Sequence, residues 1–178
     1  MAKSQKKVYP LSVDGINRLV NDLEIYKKQL LIKAERLLQE LADRGIATAD
    51  ERIENTDGDS NKNVVVRVSD VSYVGNNVVM TITAEGEDIL FIEFGAGIAK
   101  NGGKSMLGKS PHPWGEEMGY AIGKFPKGRK GYSLGRFNAW VTPTGEISEG
   151  TKASMPMLGA METMYRDVDD ACKKVFGR

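Results

Sequence analysis

The chain of 178 residues has a single cysteine, Cys172, and a single histidine, His112. A lone cysteine excludes an internal disulfide, and one thiol with one imidazole is too few soft ligands for a zinc site. No apolar run approaches the roughly 20 residues of a membrane helix, and the opening MAKSQKKVYPLS lacks the apolar centre of a signal peptide. The expected location is the cytoplasm or a particle built there, with no membrane partner. Net charge is also small, at +1. The total conceals a segregation: residues 51–94 carry three basic and nine acidic side chains, residues 95–150 eight and four. An acidic middle adjoins a basic stretch, and such local fields steer partners.

What is present is ordinary globular composition, 40% hydrophobic and 28% charged, at a length that one core can serve. One domain over residues 1–178 is expected. From Ser12 to Arg44 the apolar positions Ile16, Leu19, Val20, Leu23, Leu30, Ala34, Leu37, Leu38 and Leu41 recur at steps of three and four, with Tyr26 bridging. That spacing predicts a helix over 12–45 with Ser12 as N-cap and Gly45 as its stop. Such a helix is about 50 Å long, so it bends or projects towards a neighbour. TADERIENTDGDSNK, rich in turn formers, reads as a loop.

NVVVRVSDVSYV and NVVMTITAEG, separated by a glycine and asparagines, predict an antiparallel hairpin within 62–97. The run DILFIEFG that follows is placed there as a third strand, although its period fits a short helix equally well. Residues 95–150 hold thirteen of the twenty glycines, so 98–150 reads as a long irregular basic excursion, with a short hairpin possible between RFNAWVTP and GEISEG. A closing helix over 155–177 has Pro156 in its first turn and an apolar stripe of Met157, Met161, Met164, Val168, Ala171 and Val175. Helix, small antiparallel sheet, excursion and a helix on the sheet make an α+β fold.

GKSMLGKS, Gly103 to Ser110, matches the phosphate-loop pattern. That mechanism needs a buried strand before the loop and a helix after it, and Pro111 and Pro113 oppose the helix. A flexible basic loop is the expected reading. Glu93, between Ile92 and Phe94, is expected to be a structural carboxylate, and His112, between two prolines, a loop residue. No catalytic constellation, metal site or cofactor is expected. In GKFPKGRKGYSLGRFNAW, Lys124, Lys127, Arg129, Lys130 and Arg136 interleave with Phe125, Tyr132, Phe137 and Trp140. Cations neutralise phosphates and aromatics stack on bases, so this segment is the DNA-binding candidate; its alternative partner is an acidic surface on another copy. The methionines at 155–164 read as core, or as an adaptable interface.

LSVDGINRLVNDL with a long helix, then FIEFGAG, then a glycine-rich stretch with HPWG, and finally ASMPMLGAMETM resemble the gene-product-ten type of tailed-phage proteins, variously termed minor capsid, neck or tail-completion proteins. The resemblance follows nearly the whole chain in order, with Phe91–Gly97 and Ser154–Ala160 as its most specific anchors. Ala96 departs from the threonine usual there. The resemblance implies a non-enzymatic virion component: a ring subunit at the head–tail junction, around the DNA channel. Its expected partners are itself, a head-completion or adaptor protein, a tail-terminator or tail-tube protein, and phage DNA. Subunit contacts are expected from Phe91, Glu93 and Phe94 in the first anchor and from Met155, Met157 and Met161 at the start of the last helix. A DNA-binding module using residues 124–140 is the alternative function.

Overall fold

The computed structural model describes residues 7–56, 63–97, 99–102, 109–120, 140–141, 147–148 and 150–177. The basic candidates Lys124, Lys127, Arg129, Lys130 and Arg136 lie outside the described residues.

Helix α1 runs Val13–Glu54, 42 residues or about 63 Å. Ser12 caps it as its position suggests, its hydroxyl accepting from the Gly15 amide at 3.2 Å. The expected end at Gly45 is wrong: the helix continues for nine residues through what reads as a polar loop. Gly45 is a point of close helix approach rather than a stop, because a Cβ there would lie 3.1 Å from the Met164 side chain. The end comes at Asn55, whose amide closes back on the Glu51 carbonyl.

Strands β1 (Val65–Val74) and β2 (Asn77–Glu85) form the expected hairpin. Val74 pairs with Asn77, so the turn is Gly75 and Asn76, with Gly75 at φ +62°, a conformation glycine adopts without strain. Alternation places Val66, Val68, Ile82 and Ala84 inward, and a bulge between Val68 and Asp70 breaks the register once. Among the described residues this sheet has two strands. The run placed as a third strand is instead a short helix, α2 (Ile89–Phe94). Its core-facing groups are consecutive, Ile92, Glu93 and Phe94, which a strand's alternation would not allow.

Beyond a 3₁₀ turn at Ala99–Asn101, the two-residue strands β3 (Trp140–Val141) and β4 (Ile147–Ser148) pair antiparallel. Helix α3 (Pro156–Phe176) closes the chain and lies antiparallel along the C-terminal half of α1. The facing surfaces are small residues: Ala42, Gly45 and Ala49 of α1, and Gly159, Ala160, Thr163 and Ala171 of α3, all buried. Small side chains let the backbones approach, while Met164 of the expected stripe lies against Gly45 and Met157 packs against the core. Of the six stripe positions only Ala171 is fully buried. The core is compact, with Ala49, Ile53, Val66, Ile92 and Ala160 joining α1, β1, α2 and α3.

Candidate functional site

The three glycine- and proline-marked landmarks, FIEFGAG, HPWG and SMPMLGA, meet in space at the start of α3. That helix begins without a capping side chain: Met155 precedes it in a left-handed conformation (φ 53°), and Pro156 has no amide hydrogen. Its next two amides, of Met157 and Leu158, donate to the Glu93 carboxylate at 2.8 and 3.0 Å. Glu93 thus caps α3 from another helix, where an anion is favoured by both hydrogen bonding and the helix dipole. Its Oε1 also accepts from Nε2 of His112, at 3.2 Å.

The His112 tautomer follows from its second nitrogen. The Trp114 amide donates to Nδ1 at 3.2 Å, so Nδ1 is bare and the ring proton sits on Nε2, facing Glu93. Both residues are buried, Glu93 at 6% and His112 at 4% exposure. Ser110 accepts from the His112 amide, opening a run of turns from Pro111 to Gly119 in place of the helix a phosphate loop needs. Phe94 stacks on Tyr120 with centroids 4.1 Å apart and tilts against His112 at 4.7 Å, while Trp114 meets His112 edge-on at 5.7 Å.

A second joint lies beside the first. Asn101 donates to the carbonyls of Ala96, Gly97 and Thr151 at 2.9–3.0 Å and accepts from the Ala153 amide at 2.9 Å. Ala96 and Thr151 also exchange paired backbone bonds at 2.8 Å. Gly95 sits at φ +78°, and a Cβ there would strike the Asn101 Oδ1 at 2.6 Å, so the approach requires glycine. On the other flank Arg52 donates to the Met155 carbonyl at 2.9 Å, holding the residue that enters α3. Thr56 and Ser154 share a 2.7 Å bond, and Arg52 reaches Glu162 at 3.6 Å.

The chemistry of this arrangement is anchoring. Every polar atom of the Glu93 and His112 side chains engages a protein partner. Among the described residues no three His, Cys, Asp or Glu side chains gather as metal ligands. The expected interface residues divide accordingly. Glu93 and Phe94 are buried within their own chain, where their side chains complete the α3 cap and the aromatic cluster. Phe91 is 50% exposed beside an equally exposed Leu90. Met155 and Met161 are partly buried, and Met157 packs against the core.

Sequence reasoning missed Asn101, Arg52 and Tyr120. Only the glycines around Asn101 hinted at a crowded crossing. Comparison with family models, with curated proteins and with solved structures returns no match.

Proposed function

We propose that this chain is a structural virion protein of a tailed phage, a ring-forming subunit of the neck, head–tail connector or tail-completion assembly. It joins capsid-side to tail-side proteins around the DNA channel and carries out no covalent chemistry. The observation that carries this reading is the convergence of the resembling landmarks. FIEFGAG supplies Glu93, HPWG supplies His112, and SMPMLGA supplies the amides that Glu93 caps. Residues far apart in the chain that resemble one family and meet in one buried joint are what a shared fold would require.

Two further features support an assembly role. The buried carboxylate and imidazole are held by structural hydrogen bonds, and large apolar side chains stand exposed along α1, at Leu90 and Phe91, and at Trp114 and Met118. The test is native mass measurement and electron microscopy of the purified chain, alone and mixed with head-completion and tail-tube proteins from the same source. A ring, alone or upon mixing, is expected. A chain that stays monomeric with both partners, or turns over a substrate, overturns the reading.

A further inference from the structure

Helix α1 presents one apolar stripe along its whole length, and only half of it is covered. Its C-terminal half lies under α3, which ends at Phe176, its ring 5.5 Å from the ammonium of Lys33. On the N-terminal side of that point the stripe continues as Ile16, Leu19, Val20, Leu23, Tyr26 and Leu30, each between 37% and 58% exposed. Between Ile16 and Leu30 only Asp22 is less than exposed. Where cover stops there is a shallow groove lined by Tyr26, Gln29, Leu30, Lys33 and Phe176.

We infer that residues 20–33 of α1 pair antiparallel with the same residues of a second copy, about a two-fold axis between Tyr26 and Lys27. Continuity argues for a helix as occupant, because the stripe is the one α3 already covers and the groove at Phe176 would receive the second helix where α3 stops. Charge argues for an antiparallel copy of this chain. Residues 13–24 carry Asp14, Asp22 and Glu24 against Arg18, whereas residues 25–36 carry Lys27, Lys28, Lys33 and Arg36 against Glu35. A parallel pair sets like charge beside like along the whole contact.

The antiparallel register centred on Tyr26 and Lys27 places Leu23 opposite Leu30 of the second copy. It also places Glu24 beside Lys27 of that copy on one flank, and Asp22 beside Lys33 on the other. Asp22 is already held by Lys7 at 2.7 Å and Tyr9 at 2.6 Å, so its carboxylate is fixed on this flank. The contact runs for about 21 Å. It is isologous and does not depend on the ring, whose contacts are heterologous.

The test uses the full chain with Cys172→Ser. Tyr26→Cys, at the axis, is expected to form an interchain disulfide on mild oxidation, and Ile16→Cys, at the end of the helix, is not. Cross-linking at both positions indicates a parallel pair and overturns the proposal, as does failure at Tyr26→Cys. Leu19→Asp with Leu23→Asp, at exposed positions that the fold does not need, is expected to weaken self-association at least about a hundredfold by sedimentation. An unchanged sedimentation profile overturns the two-fold contact, even where rings are still seen by microscopy. Loss of rings with the Tyr26→Cys disulfide retained overturns only the connector reading.

Discussion

Oε1 of Glu93 lies 3.2 Å from Nε2 of His112 and 3.0 Å from the amide of Leu158, so one oxygen fastens a turn and a helix distant in sequence to α2. The other oxygen takes the Met157 amide. Because all these groups are shielded from water, removing the acceptor strands each donor without a replacement.

Glu93→Gln is expected to destabilise the fold by about 2–4 kcal/mol, since a charge-assisted cap is lost and an amide donor is set against amide donors. His112→Phe is expected to cost less, about 1–2 kcal/mol, because Glu93 keeps both helix amides while the Trp114 amide loses its acceptor. Urea midpoints measure both. Equal losses, or a loss under about 0.5 kcal/mol for Glu93→Gln, contradict the trans-cap.

Asn101 separates two substitutions usually treated as similar. Asn101→Asp removes the two amide hydrogens and points a carboxylate at the carbonyls of Ala96, Gly97 and Thr151. It is expected to be worse than Asn101→Ala, itself about 2–3 kcal/mol destabilising, because repulsion is added to the lost bonds. Thermal denaturation of the two variants tests the order.

At Gly45 a contact point and an unconstrained helix interior predict opposite results. A Cβ already meets Met164 at 3.1 Å, so Gly45→Leu is expected to push α3 from α1 and cost about 2–3 kcal/mol. Were the position a free helix interior, leucine would stabilise by up to about 1 kcal/mol through its propensity.

The outer edge of the same contact is ionic. Hydrogen bonds from Lys174 and Arg44 hold the Glu40 carboxyl below its ordinary range, and Arg166 and Arg44 do the same for Asp167. A carboxyl depressed in the folded state adds stability that is present above the unfolded value and lost as pH falls through the folded one. Stability is therefore expected to fall from about pH 4 downwards, and less steeply in Glu40→Gln; added salt should reduce the difference, as these groups face solvent. Identical acid profiles for the two proteins rule out the clamp.

The basic segment bears on the alternative function. Charge reversal at Lys127, Arg129 and Lys130 together is expected to abolish any salt-dependent mobility shift with duplex or single-stranded DNA. A shift that survives the reversal places the contact elsewhere in the chain.

Much of the architecture could be read from local pattern. Ser12 before a three-and-four stripe gives the start of α1, β-branched runs around Gly75 give the hairpin, and Pro156 gives the start of α3, since capping, alternation and a missing amide act over a few residues. Tertiary packing decided the rest. Gly45 carries the same local signal whether it ends a helix or lets another helix approach, and only Met164, more than a hundred residues away, selects between them. Glu93 and His112 showed no partner in sequence because their bonds are made by backbone amides and by each other once α2, the HPWG turn and α3 are brought together. Side-chain type governs local conformation, but the partner of a buried polar group is set by which segments the core forces into contact.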